Sequence, residues 1–200
     1  MTTVEASGAM PLHCFWQLID AARAGSASSE RPFADVLSDL LAARSRREIV
    51  AYERTFGQVR STLYRWDVWA AAYVIGGGCS DDAFMDFGAG VIALGRTGYD
   101  EVLASPDSLA QHPVARDGDP GRLEDLLFDE EANYAAARAF PRATGDGAWE
   151  EVAGADDTDA VDDGDTDVDH EGLDPAEAFD FDDTQEMRRR LPALAALFLP

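Results

Sequence analysis

The chain is 200 residues long and 46% apolar, and its 39 acidic and 16 basic residues give a formal net charge of −23. That length and apolar content fit one globular domain with an appendage. The charge repels phosphate backbones and anionic lipid, so nucleic acid and membrane surfaces are excluded as expected partners.

Every basic residue is arginine, and residues 146–186 hold 18 acids and no arginine. Residues 1–9 are small and polar and are expected to be flexible. Residues 11–24 read as a first helix, with Leu12, Phe15, Trp16, Ile19 and Ala22 inward and Gly25 as its stop. A second helix is expected over residues 30–44, with Phe33, Val36, Leu37, Leu40 and Leu41 inward. The only cysteines, Cys14 and Cys79, have no framework spacing, which fits reduced thiols. Residues 1–10 lack the basic and apolar regions of a signal peptide, and no apolar run approaches the ~20 residues of a membrane span. The expected location is the cytoplasm.

The centre of the chain is residues 45–94. Ser45 and Glu48 have the spacing of a capping box. Ile49, Tyr52, Phe56, Val59, Leu63, Trp66, Ala70 and Tyr73 follow at intervals of three and four, which is one helical stripe. One long helix over 45–75 is expected, or two with a kink near Gly57. From Val68 to Ile75 the polar face vanishes, so this end is expected to be buried. Gly76, Gly77 and Gly78 close it. Ser80 can cap the next helix, with Asp81 and Asp82 in its first turn. Gly88 and Gly90 inside that helix predict the close approach of another backbone.

Further on, residues 96–104 form a shorter helix and Ser105-Pro106 opens another. Residues 113–121 read as a loop, and residues 121–139 as a helix ended by Pro141. Residues 143–183 are acidic and low in complexity, with few apolar groups to offset ordering entropy, and are expected to be disordered. Residues 184–200 carry Met187, Leu191, Leu194, Leu197 and Phe198 and are expected to dock as a C-terminal helix on a core of residues 10–142, with Pro192 either breaking it or starting a second turn. The fold class is all-α: a single-domain bundle of six to eight helices with a disordered acidic insert before the C-terminal helix.

The run Tyr64, Trp66, Asp67, Trp69, Ala71, Ala72, then Gly77, Gly78, Cys79, Ser80, Asp81, Asp82, Phe84, Asp86 and Phe87, resembles the bacterial domain-of-unknown-function family numbered 4240. Gly95, Tyr99, Leu103 and Pro106-Asp107-Ser108-Leu109 extend the resemblance, and Phe15-Trp16-Gln17-Leu18-Ile19 is similar to its opening motif. The resemblance covers roughly residues 12–142. It implies a mainly helical bacterial domain and implies no activity.

The candidate binding residues are Trp66, Asp67, Trp69, Tyr73, Cys79, Ser80, Asp81, Asp82 and Asp86, all around the glycine hinge. Cys79 precedes a helix start, where backbone N–H groups can lower a thiol pKa, but nothing places His13, His112 or His170 beside it as a base. Asp81, Asp82 and Asp86 can cap a helix or, joined by Asp67 across the hinge, hold a cation. Trp66, Trp69 and Tyr73 are either core or the lining of a groove. Trp69 flanks the apolar stripe and is expected to pack under the 81–94 helix or line that groove. In the acidic tract Asp167, Asp169, Glu171 and Gly172 match the start of an EF-hand loop, but its last ligand position is Ala178. No cofactor, metal or catalytic residue is assigned.

The reading that follows is a cytoplasmic protein-interaction or regulatory module without catalysis, whose partner is another protein. The alternatives are a small-ligand-binding protein or enzyme with its site at the hinge, and an acidic decoy that occupies a basic surface.

Overall fold

The computed structural model describes residues 8–116, 121–145, 147–149, 173 and 175–200. Every regular element among them is an α- or 3-10 helix, as the three-four spacing predicts. None is long and apolar enough to cross a membrane. The helices group into two compact units, Met1–Val59 with Glu131–Asp165 and Arg60–Glu130 with Thr166–Pro200.

The first unit holds α1 (Leu12–Ser29), α2 (Phe33–Ala42), most of α3 (Arg46–Ser61) and α10 (Ala135–Thr144). Phe15 of α1 lies over Tyr52 of α3, with ring centroids 5.4 Å apart, and Phe56 packs beside them. The Thr55 hydroxyl is fully buried and donates to the Met10 carbonyl at 2.9 Å, so the chain before α1 is tied to α3. α2 packs on both α1 and α10. Its buried Ser38 hydroxyl donates to the Ala135 carbonyl at 2.9 Å. The capping box forms: Glu48 accepts from the Ser45 backbone N–H, and Ser45 Oγ accepts from the Glu48 N–H.

Several boundaries differ from the expectation. α1 runs through Gly25 to Ser29 and ends at Glu30, whose φ is 56°. Gly25 allows a close approach: a Cβ there would lie 2.7 Å from Val36 Cγ1 of α2. α2 starts only at Phe33, because Pro32 precedes it with extended backbone. The central stretch is two helices, but the break is not near Gly57. α3 ends at Ser61 and α4 (Trp66–Gly76) begins after an extended Arg65. Leu63 lies in the break and is still fully buried, so burial continues the apolar spacing where the helix does not.

The second unit is built on α4 and α5 (Asp81–Ala93), followed by α6 (Gly95–Ala104), a 3-10 helix (Pro106–Gln111) and α7 (Pro113–Arg116). Residues 113–116, expected as loop, are therefore helical, and residues 117–120 lie outside the described part. α8 (Gly121–Leu127), α9 (Glu130–Asn133) and α10 replace the single helix expected over 121–139. Pro141 does not end α10; it lies inside it, and the helix continues to Gly145, whose φ is 70°. Pro192 does break the last segment, dividing α11 (Thr184–Arg190) from α12 (Pro192–Phe198).

Gly77 has φ 64°, the left-handed conformation that closes α4. Gly90 is the close approach that its place in α5 predicts: a Cβ there would sit 1.9 Å from the Leu127 carbonyl oxygen of α8. Gly88 faces a side chain instead, with Arg60 Cγ at 2.9 Å. Much of the segment expected to be disordered, with its EF-hand-like residues, and residues 1–7 fall outside the described residues.

Candidate functional site

Aromatic rings pack around the hinge tryptophan. Trp69 stacks on Phe84 of α5 at 4.2 Å and 9° between planes, and Tyr64 sets its edge against both rings. Trp69 is 1% exposed, so it takes the first of its two expected placements, under the 81–94 helix. Phe84 continues to Phe87, and Phe87 to Phe128. Gly76 is lean because Phe128 fills the space a side chain would take, 3.0 Å from its ideal Cβ.

The polar hinge residues are held locally. Ser80 Oγ accepts from the Ala83 N–H and caps α5. Asp81 and Asp82 are exposed in the first turn. Asp67 pairs with Arg65, whose guanidinium also donates to the Leu103 carbonyl at 2.7 Å. Asp67 is thus tied to its own side of the hinge. Among the described residues no group of three or more His, Cys, Asp or Glu side chains could hold a metal ion. Asp86 is half-buried, and its backbone carbonyl accepts from the Asp129 N–H at 3.3 Å.

Cys79 is half-buried, and burial pushes its thiol up to about 12, with Asp81 and Asp86 adding to the effect. The helix start does not offset the loss of water and the two carboxylates. The thiol is therefore protonated at neutral pH. Cys14 Sγ lies 3.2 Å from Nε2 of the adjacent His13 on the outside of α1. Among the described residues no third group orients that ring, as a nucleophile–base pair requires.

A different partner covers the outer face of α4. Phe181 sets its ring 5.8 Å from Trp66 and 5.4 Å from Tyr73. The Tyr73 hydroxyl donates to Asp182 Oδ1 at 2.6 Å, and that hydrogen bond, with burial, raises the phenol pKa. Phe179 packs edge-on against Phe181, and the Arg190 guanidinium lies 4.0 Å over the Phe179 ring. Beside them Asp107, in the 3-10 helix, accepts from the backbone N–H groups of Ala193 and Leu194 at 2.9–3.1 Å. This carboxylate satisfies the open amide end of α12. Met187, Leu191 and Leu194 are buried.

Sequence reasoning placed Trp66 and Tyr73 at a surface of interest but missed what meets them. Phe181, Asp182 and Asp107 give no local signal, because their contacts span 109 and 86 residues of chain. A second feature also escaped it. Arg46, Arg47, Val50 and Arg54 of α3 line a cleft of about 340 Å³, with Gly8 at its edge. Their spacing is helical, but apolar periodicity carries no signal for arginines.

Residues 10–142 match the family described as a protein of unknown function (DUF4240). No curated protein and no solved structure matches the chain.

Proposed function

The chain belongs to that family of unknown function, and from this premise we propose that it is a protein-interaction module whose recognition face is the outer side of α4 with the 3-10 helix beside it. One observation carries the reading. Trp66, Tyr73 and Asp107 lie inside the family span of 10–142, whereas the groups that meet them, Phe181, Asp182 and the start of α12, lie outside it. The domain meets this segment as it would meet a peptide: one aromatic anchor, one carboxylate on a phenol, and one helix end on a carboxylate.

The segment 175–200 then acts as a tethered ligand. A partner carrying a phenylalanine followed by an acid, and a short helix beyond, competes with it for the same face. The module regulates by exchange of ligands and performs no catalysis. The protonated thiol of Cys79 supports this, since a thiol held at about 12 is a poor nucleophile at neutral pH.

The test uses the full chain and a labelled peptide of residues 175–200. A tethered copy competes at an effective concentration on the order of millimolar. Wild-type protein is therefore expected to leave ~10 µM peptide free. The double variant Phe181→Ala/Asp182→Ala is expected to bind it saturably, and adding Asp107→Ala is expected to remove that binding. Circular dichroism establishes that each variant is folded. A folded double variant that ignores the peptide would reduce the segment to ordinary packing and end the proposal.

A further inference from the structure

The segment that meets the outer side of α4 is built in two parts of unlike burial. In α11 and α12, Met187, Leu191, Leu194 and Ala195 are buried, and Asp107 holds the amides of Ala193 and Leu194. These two helices are part of the core of the second unit. Among residues 176–183, by contrast, only Phe179 and Phe181 are even half-buried, and the rest are exposed.

This thin stretch keeps its own shape. The Asp180 carbonyl accepts from the Asp183 N–H at 3.2 Å, and the Asp180 carboxylate accepts from the Asp182 N–H at 2.9 Å, which closes a turn within the stretch. Its far end is fixed to α11. Asp183 caps that helix by accepting from the Gln185 and Glu186 N–H groups, and Arg190 of the same helix lies over the Phe179 ring. Two other side chains reach α4: Phe181, against Trp66 and Tyr73, and Asp182, on the Tyr73 hydroxyl. Attachment to α11 and attachment to α4 are thus made by different residues.

A stretch with few buried apolar contacts opens at lower free energy than a packed one. We infer that residues 176–183 are a strap that swings from Asp183 and uncovers Trp66 and Tyr73 while α11 and α12 stay in place. The inference rests on the recognition face proposed above and adds its regulation: the first step of ligand exchange is local. The uncovered site takes a peptide of another protein in which an aromatic residue is followed directly by an acid, the pattern that Phe181 and Asp182 supply from within. A free aromatic acid fits less well. Asp182 meets a phenol and, among the described residues, no cation, so a small anion gains a single hydrogen bond from a neutral donor in exchange for its water. A peptide adds its backbone and neighbouring side chains to the same ring contact.

The probe is a labelled peptide of residues 177–183, titrated to about 1 mM against the full-length protein. The Phe181→Ala/Asp182→Ala variant, whose strap cannot compete, is expected to bind it saturably and roughly tenfold or more tighter than wild type does. Arg190→Ala, which frees Phe179 in an otherwise intact strap, is expected to raise wild-type binding several-fold. The probe carrying Phe181→Ala is expected not to bind. Adding Asp107→Ala to the double variant is expected to leave binding of this short probe unchanged, because the probe makes no use of the α12 contact. Hydrogen exchange in α11 and α12 of the double variant is expected to stay within about threefold of wild type. Acceleration there by roughly tenfold or more would show that strap and helices leave as one, and would overturn the inference. So would a folded double variant that binds the peptide of residues 175–200 and ignores the short probe, a result that leaves the recognition face standing. A folded variant that ignores both peptides ends both readings. Binding of 3-phenylpropionate as tight as that of the probe would assign the site to a small aromatic acid and overturn the peptide as its ligand.

Discussion

At the scale of single residues, the buried hydroxyl of Tyr52 stands out. Its ring is sandwiched in the first core, and its oxygen has no hydrogen-bond partner among the described residues. Burial pushes its pKa well above the ordinary value, so it stays neutral, but an unpaired hydroxyl still lacks the bonds water gave it. Tyr52→Phe is expected to stabilise the protein by about 1 kcal/mol, read as a rise in the denaturation midpoint. Cys79 offers the pH test. Its neutral thiol is favoured in the fold, so that contribution is complete below about pH 9 and is lost as pH rises towards about 12. In a Cys14→Ser background, a thiol reagent at pH 8 is expected to react tens of times more slowly with folded than with unfolded protein. The thiolate is roughly a thousandfold scarcer, and the higher nucleophilicity of a high-pKa thiolate offsets only part of that. Comparable rates would mean that water reaches the sulfur freely. Trp69→Ala is expected to cost ~3–5 kcal/mol, since it opens the stack on Phe84.

At the scale of helices, glycine positions separate close contact from backbone conformation. Gly90→Ala is expected to destabilise by about 3 kcal/mol or more, because its methyl meets the Leu127 backbone, which cannot step aside as a side chain can. Gly88→Ala is expected to cost less, because the atom it meets belongs to the flexible Arg60. A Cβ at Gly77 would meet nothing within 4 Å, so the expected cost of Gly77→Val, about 1–2 kcal/mol, is argued from the positive φ. Denaturant midpoints of the three variants would rank these causes, and a Gly90→Ala no worse than Gly88→Ala would contradict the close backbone contact. The helical class and the α5 cap were legible, since three-four spacing and Ser80 with its acids are local signals. The end of α3 was not, because Leu63 is as buried in a turn as it would be in a helix. Pro141 misled for a related reason: tertiary packing keeps α10 going past a residue that removes one hydrogen bond. The aromatic cluster at the hinge was visible in the sequence. Its covering by Phe181 was not, because no pattern in a single sequence pairs residues so far apart.

For the whole molecule, charge and attachment are the features that matter. Asp107 joins the 3-10 helix to α12 through amides of the helix start, so Asp107→Ala is expected to lower the stability of the 175–200 attachment by ~1–2 kcal/mol. Hydrogen exchange should speed up in α11 and α12 and leave α1 and α2 unchanged. Uniform acceleration would show that the segment is inseparable from the rest. The acidic excess is the chief electrostatic feature of the sequence, and a basic partner surface was one alternative drawn from it. The three arginines of α3 reverse that sign locally, and a net charge hides them because it averages over the surface.

Each compact unit takes its residues from two stretches of chain, and the stretches alternate: Met1–Val59, Arg60–Glu130, Glu131–Asp165 and Thr166–Pro200. A ribosome delivers these in sequence at about 5–20 residues per second. α1 and α2 therefore wait several seconds for α10, with their apolar faces unfilled. α4 waits in the same way for α11 and α12. Neither unit is complete before the other has begun, so no single cut releases either one intact. A nascent chain stalled after Glu130 would expose both unfinished cores at once, which makes this protein a demanding client for the chaperones that meet it during synthesis.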